Sequence, residues 1–498
     1  MLAPRIAGSL FLFALACAPL GEARAQSVTQ LWANNCASCH GRDAAGGDKA
    51  RSLLRDGLFD QQHDRPFYDT IRDGLKDVEG HAFGGTLSDP QVWGLVVHLR
   101  ELQARDLRRR VGGPKAVSGV YTTQHHKYRI EDVVSSGLSI PWAVDFLPDG
   151  RMLITERPGT LRVNSTRTPG GTLSEPVQGV PPSVHLGQGG LMDVALHPEF
   201  EKNGWIYLGF NEPAPGVDAA RRGGRSMTSI IRGRLKDVDG RPTWTDQEVL
   251  FRAKPEHMSS SGVHFGNRIV FEPAYEKSKD GRYHMFFSIG ERGNGAHAQD
   301  LSRPNGKVHR LWDDGKVPDD NPFVSRADAY HSIWSYGHRN PQGLVFDLDG
   351  LLWDTEHGPR GGDELNLIQK AANYGWPEVA FSINYSDMPY ATPWTADGKA
   401  KDGATITMPA YRWLPSIAAC GLDLVRGGAF PKWKGDLVAG GLAGANVDRV
   451  RVNDGKFVER EEIFFGHGRV RDVVTAPDGT IYIVLNDPDK VVRLVPAD

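Results

Sequence analysis

The chain has 498 residues and carries 58 Lys and Arg against 61 Asp and Glu, a formal net charge of -3. That balance excludes bulk attraction to nucleic acid or to an anionic membrane. The 4 cysteines exclude a disulfide-stapled scaffold, while the length allows two or three domains and 58 glycines between short strands point to β-architecture for most of them.

At the N-terminus Arg5 precedes the apolar run "IAGSLFLFALACAPL", and "GEARA" follows before Gln26. A positive n-region, an h-region and a small-x-small cleavage site make residues 1–25 a signal peptide, so the mature protein is expected to be soluble and periplasmic. The h-region is too short for a span and no later stretch offers about 18 consecutive apolar residues, so no transmembrane anchor is expected. Cys17 lies in the h-region, but Ala14 stands where a lipoprotein signal carries leucine, which makes a lipid anchor the weaker alternative.

Residues 27–105 read as a small all-α unit. In "LWANNCASCHGRD", Cys36 and Cys39 flank two small residues and His40 follows, the attachment signature of c-type haem. The thiols would bind the haem vinyl groups, and His40 would supply one axial nitrogen. A redox or zinc-binding CxxC pair is the alternative, because thiolates and imidazole also suit zinc. One helix leads into the CASCH loop. Another starts with Ser88 as its N-cap and runs through "DPQVWGLVVHLRELQ", where Val92, Leu95, Val96, Leu99 and Leu102 form an apolar stripe. His98 lies off that stripe and is expected in solvent. Residues 106–127, basic and glycine-containing without periodic pattern, read as a linker.

From residue 128 the pattern changes to short β-branched runs with period-two alternation, punctuated by DG and NG turns. One local sentence recurs six times, from "PWAVDFLPDGRMLITE" to "VRDVVTAPDGTIYIVLND": an apolar strand, a turn on Asp, Asn or Gly, and a second apolar strand ending at a Gly or acidic residue. Radially repeated four-stranded blades protect so many edges economically, so residues 128–498 are expected to form an all-β six-bladed propeller. Polar clusters just after strands are the candidates for chemistry: "HLGQGGLMD", "SSSGVHFGNR", "YGHRNPQG" with "TEHGPRGGDELN", and "GHGRVRD". Singly, each has an ordinary structural reading, with Gln188 capping a turn, His264 a buried hydrogen-bonded histidine, and Arg469 and Arg471 facing outward from a strand. Together they offer a base, an amide, cations and glycine-exposed carbonyls, the inventory for a polyanionic cofactor.

The run "YGHRNPQGLVFDLDGLLWDTEHGPRGGDELNLIQKAANYGWP", with "LGQGGLMDVALHP", "SGVHFGNR" and "GRVRDVVTAPDG" in order, resembles the soluble glucose and aldose sugar dehydrogenases that use pyrroloquinoline quinone (PQQ). The N-terminal unit resembles class I cytochrome c domains. The first resemblance implies that His264 is the general base that takes the sugar C1 hydroxyl proton, a task suited to imidazole near neutral pH. It implies that Gln188 hydrogen-bonds near substrate and cofactor, and that Arg339 and Asn340 contact the quinone oxygens, where they would stabilise developing charge. Arg469 and Arg471 match arginines on the cofactor's carboxylates. Gly358 and Pro359 match a pair whose carbonyls hold a calcium ion against the quinone, with Asp363 supporting that loop. Glu364 and the backbone near Tyr374 match a second, structural calcium site, for which a surface carboxylate is the alternative.

Several positions depart from the family pattern. Glu291 stands where the glucose enzymes often use aspartate to orient the base, His357 replaces a glutamine, and Ala443 falls where many members place a lysine on the cofactor. In the cytochrome no Met occurs between Met1 and Met152, so the usual methionine ligand is missing; "VEGHAFGG" offers His81 as the sixth ligand opposite His40, with His63 as a competitor and an open position as the remaining option. Imidazole in place of thioether would lower the haem potential. The expected function is an exported PQQ-dependent aldose dehydrogenase that passes electrons through its own haem to an external acceptor such as another cytochrome, a copper protein or a respiratory component. A cofactor-free carbohydrate- or protein-binding propeller with a cytochrome sensor, and a haem-fused reductase with another cofactor, are the alternatives. Cys420 has no role in this reading beyond a buried small residue or a thiol near the axial loops.

Overall fold

The computed structural model describes residues 26–76, 78–219, 224–273, 281–390 and 405–497. The leader expected over residues 1–25 lies outside them. Among the described residues, no helix is long and apolar enough to cross a membrane.

Four helices build the N-terminal unit. Helix α1 (Val28–Asn35) starts at a capping box in which the Ser27 hydroxyl accepts from Gln30 N–H and the Gln30 side chain accepts from Ser27 N–H. Helix α2 (Ala37–His40) is a single turn, so the CASCH segment is helical where a loop was expected. Helix α3 (Asp64–Asp73) is tied to α4 (Asp89–Val111) by the buried pair Asp64–Arg100, with Nε 2.7 Å from Oδ1. Ser88 caps α4 through a second capping box with Gln91, as its sequence position indicates, and Gly112 ends the helix at φ 77°. Two expectations are corrected here. Residues 106–111, read as linker, continue α4, because Asp106 pairs with Arg109 and Arg110 along the solvent face. His98 is buried, not solvated, with its ring 5.5 Å from that of Trp32.

The remainder is a six-bladed propeller. In the first blade the strands are Pro141–Phe146, Met152–Glu156 and Thr160–Asn164; four blades have four strands each and the last has five. The first blade lacks the expected fourth strand because "TPGGTLSEPVQGVPPS" follows, where prolines remove ladder donors. Ring closure uses both ends of the domain: Lys127–Val134 pairs antiparallel with Lys490–Pro496 in the last blade. Innermost aspartates staple neighbouring blades. Asp145 accepts from Leu196 N–H at 2.7 Å, Asp193 from Ile269 N–H at 2.6 Å and Asp423 from Thr475 N–H at 2.6 Å. Between the last blade and the first, Asn486 Nδ2 donates to Pro141 O at 3.0 Å.

The helical unit is packed onto the propeller. Val92, Trp93, Val96 and Val97 of α4 share one core with Val379, Phe381, Ile383 and Ile406. Polar ties surround it: Arg360 makes a bidentate pair with Glu101 at 2.8 Å and reaches Asp387 at 3.0 Å, while Val28 N–H donates to Asp387 O at 2.7 Å.

Candidate active site

The propeller residues singled out as base or cofactor contacts sit at the start of an innermost strand or just after the strand beside it, whereas Glu364 lies within Asp363–Leu367 and Tyr374 beyond it. The first two places open on the same face of the propeller. His264 precedes Ile269–Phe271, Glu291 follows His284–Ile289, Arg339 and Asn340 precede Pro341–Phe346, His357 to Pro359 follow Leu352–Glu356, and Arg469 and Arg471 begin Arg469–Thr475.

His264 adopts φ 54°, a left-handed conformation that costs a non-glycine residue energy and is retained where surroundings impose it. The Gln188 side chain imposes it in part, its Oε1 accepting from His264 N–H at 2.9 Å. Glu291 Oε1 hydrogen-bonds His264 Nδ1. Gly290 permits this approach, because a Cβ there would lie 2.4 Å from His264 O. Burial lowers the imidazole's proton affinity below its ordinary value, Glu291 raises it, and Arg339 lowers it again. The imidazole is therefore neutral at pH 7 and oriented by a carboxylate.

Arg339 is fixed by its own N–H, which donates to Glu356 Oε2 at 2.8 Å, and its Nη1 reaches the carbonyls of His357 and Gly358 at 3.2 and 3.1 Å. Asn340 Oδ1 accepts from Gly266 N–H at 3.0 Å. His357 is pushed well below its ordinary pKa by burial first, then by Arg339, His264 and Arg471, which places all four groups within electrostatic reach of one another. Among the described residues, Arg339 Nε, Asn340 Nδ2, His357 Nε2 and Glu291 Oε2 are buried without a hydrogen-bond partner. Buried polar atoms of this kind cost roughly 1–3 kcal/mol each unless something satisfies them.

Arg471 is buried, donating to Gln342 Oε1 at 3.1 Å, whereas Arg469 is exposed. Arg157 joins them and escaped the sequence reading: burial lowers its pKa first, and Arg471 and Arg469 add to that. An internal repeat carried the signal for it, since "TERPG" ends a strand in the first blade as "TEHGP" does in the fourth, with Pro141↔Glu156 and Pro341↔Glu356 in the same register. Cys420 is fully buried, and its thiol donates to Gln342 Oε1 and Arg471 O at 3.0 and 2.8 Å, so it packs beneath the arginine. Ala443 carries no polar side chain and its N–H donates to Ile417 O.

The loop 357–363 is held by Asp363, whose carboxylate accepts from Gly358, Ile417 and Ala419 N–H and from Ser416 Oγ. Asp363 therefore shapes the loop and has little capacity left for an ion. Gly358 is required by close approach, since a Cβ would meet Gly361 O at 2.2 Å. Glu364 lies beside Glu356, and Asn366 Nδ2 donates to both carboxylates at 3.2 Å. Burial and Glu356 push the Glu364 carboxyl well up. The Tyr374 hydroxyl is spent on Leu367 O at 2.6 Å, while its ring stacks on His338 at 4.5 Å.

In the helical unit the imidazole rings of His40 and His81 lie edge to face, with centroids 6.2 Å apart and planes at 76°. Both Nδ1 atoms are buried without a partner among the described residues. Burial and then His81 lower the His40 pKa, which favours a free nitrogen lone pair. Cys36 is buried and Cys39 exposed beside them. His63 instead packs on Phe67, with ring centroids 6.4 Å apart.

Two family models match the chain: Glucose / Sorbosone dehydrogenase over residues 138–493, and Cytochrome C oxidase, cbb3-type, subunit III over residues 23–99. Aldose sugar dehydrogenase YliI of Escherichia coli is 40% identical over 359 residues, covering 72% of this chain and 90% of that protein. Quinoprotein glucose dehydrogenase B of Acinetobacter calcoaceticus is 27% identical over 427 residues, 71% of this chain and 84% of its own. Among solved structures, the apo soluble aldose sugar dehydrogenase of Escherichia coli superimposes with TM-score 0.64 at 37% identity, covering 74% of this chain and 100% of that one. The PQQ-bound aldose sugar dehydrogenase of Streptomyces coelicolor gives TM-score 0.56 at 25% identity, covering 74% and 98%. With a propeller of this register and a family match across nearly all of it, the chain belongs to the glucose/sorbosone dehydrogenase family and carries an N-terminal cytochrome c domain.

Proposed function

We propose that the protein is an exported, PQQ-dependent aldose dehydrogenase that hands electrons to its own c-type haem and from there to an external acceptor. The observation that carries this reading is the set of unpartnered buried atoms on Arg339, Asn340, His357 and Glu291, gathered around a neutral imidazole. A flat polyanion with carbonyl oxygens fits the N–H donors of Arg339 and Asn340, and Arg157, Arg469 and Arg471 supply cations for its carboxylates.

His264 accepts the proton of the sugar's C1 hydroxyl, and Glu291 stabilises the imidazolium that results. Gln188 holds the backbone that aims this ring. Arg339 and Asn340 offer a cation and an amide donor where negative charge develops on oxygen. Bound PQQ supplies the two-electron acceptor for the hydride that leaves C1, giving the lactone. The carbonyls of Gly358 and Pro359 suit a calcium ion, and Glu364 with the Tyr374 backbone suits a structural one.

The cytochrome side fits haem as well. His40 and His81, with ring centroids 6.2 Å apart, would hold the haem iron between two imidazole nitrogens, a ligation that would lower its potential relative to Met/His. Cys36 and Cys39 would form the thioether bonds to the haem. The packing of the α4 face on the propeller would hold that haem beside the domain in which the cofactor is reduced.

The test gives the purified protein calcium and PQQ, then an aldose, while the reduced haem α-band is followed. Sugar-dependent reduction that requires PQQ is the expected outcome; failure to bind PQQ refutes the reading. A near-infrared methionine-to-iron band in the oxidised protein would remove His81 from the iron.

A further inference from the structure

Beneath the loop that carries Arg339 lies a second group of metal-type side chains. His338, Asp354 and Glu356 are all buried, and each offers a ligand atom within 4.8 Å of the others. His338 Nδ1 is 3.4 Å from Glu356 Oε1 and 3.6 Å from Asp354 Oδ2. These separations are long for direct hydrogen bonds and natural for two donors that share one cation at roughly 2.1 Å. Asp354 has 0% exposure, and among the described residues neither of its oxygens meets a donor in good hydrogen-bond geometry, although Asn366 is near enough to favour its charged form. The other ring nitrogen, His338 Nε2, is 2.9 Å from Ser335 Oγ, the outer contact that fixes a ligating histidine.

The first blade serves as an internal control. Its Glu156 occupies the register position of Glu356 and makes the equivalent bond, accepting from Ser139 N–H at 2.6 Å as Glu356 accepts from Arg339 N–H. There the carboxylate is balanced by Arg162 at 3.5 Å, and its neighbours are apolar or neutral: Leu138, Ile154 and Thr160. In the fourth blade the matching positions hold His338, Asp354 and Glu364, and Asn366 replaces the arginine. The fourth blade has thus lost the arginine at that position and gained three donors at one place, with Arg412 across from Glu364 as the nearby cation. Uncompensated burial of several carboxylates costs several kcal/mol per ion, roughly, unless a counter-charge is present.

We propose that His338, Asp354 and Glu356 bind a divalent cation of the zinc class, which fixes the Glu356 carboxylate and through it the backbone of Arg339. The imidazole donor selects zinc-like ions over calcium, which prefers an all-oxygen shell. Of the three residues, Glu356 lines the same cavity as Arg339, His357, Gly358 and Pro359, whereas His338 and Asp354 do not, so the proposal borders the cofactor reading at that one residue. Glu364 borders it and is also the residue assigned above to structural calcium, so the experiment must separate the two metals.

The holoprotein, whose Cys36, Cys39 and His40 are occupied by haem, is dialysed against zinc and calcium together, desalted and assayed for both by mass spectrometry. One zinc per chain is expected, absent from Asp354→Asn, with calcium content unchanged. Asp354→Asn preserves shape and removes a buried charge, and an unaltered haem spectrum checks its fold. X-ray absorption at the zinc edge of the unsubstituted protein should show scattering from one imidazole. A chain that binds calcium but no zinc, zinc retained by Asp354→Asn, or a zinc edge without imidazole scattering each overturns the proposal.

Discussion

At His264 opposing influences set the proton affinity: burial, the largest, and Arg339 lower it, while Glu291 raises it. The net direction is downward, so the imidazole stays deprotonated below the ordinary histidine range, and if it is the proposed base the acid limb of the sugar-oxidation profile should fall below about pH 6.5. Glu291→Gln removes the raising influence. The acid limb of kcat/KM should then move to still lower pH, while the rate falls by about 10²–10³-fold because the ring loses its charged partner. A residue that merely filled space would lower the rate without moving the limb, so a pH–rate profile decides between them. His264, Arg339 and Asn340 were legible in the sequence because each lies in a polar cluster at a strand end, "SGVHFGNR" or "YGHRNPQG", that matches the family's motifs. Arg157 was not, because an arginine two residues before a turn glycine has no local mark and acquires meaning only when the first blade is laid on the fourth.

Helix α4 shows how an element can serve two cores. Leu95, Leu99 and Leu102 pack with Leu31, Trp32 and Cys36 inside the cytochrome, whereas Val92, Trp93, Val96 and Val97 pack on the propeller. The single stripe read from the sequence, Val92, Leu95, Val96, Leu99 and Leu102, mixed residues of both faces and left Trp93, Val97 and His98 outside it. The run "VWGLVV" held the missing information, since a helix apolar over most of its circumference is buried on more than one side. The strands were more legible than the helix because period-two alternation and DG turns mark each hairpin locally. Blade number followed from counting them, while the three-stranded first blade depended on where prolines removed donors. On the outer edge of α4, Glu101 holds Arg360, which is one third exposed, so only part of a charged hydrogen bond's usual worth survives solvent screening. Glu101→Arg would place like charges in contact and weaken docking of the cytochrome by about tenfold or more. Sugar-driven haem reduction should slow, whereas reduction of a soluble dye, which takes electrons from the propeller directly, should not. Equal loss of both activities would contradict a docking role.

Taken whole, the molecule is two domains joined by a shared apolar core more than by a tether. Trp93 is 2% exposed, with its ring 6.1 Å from that of Phe381, and its neighbours come from both domains. Ring closure makes the propeller one cooperative unit, since its first long strand pairs with its last. Through Trp93 the cytochrome is coupled to that unit, and the unsubstituted protein should therefore unfold in one calorimetric transition. Trp93→Ala removes the largest group in the interface and should cost about 3–5 kcal/mol. Most of that loss falls on the junction, because the haem-side cluster of Leu31, Trp32, Leu95 and Leu99 does not include Trp93. The expected thermogram of the variant has two transitions, a lower one accompanied by the change in haem absorbance and a higher one without it. A single transition shifted downward would instead mean that the polar ties of Arg360, Asp387 and Val28 suffice to keep the domains cooperative.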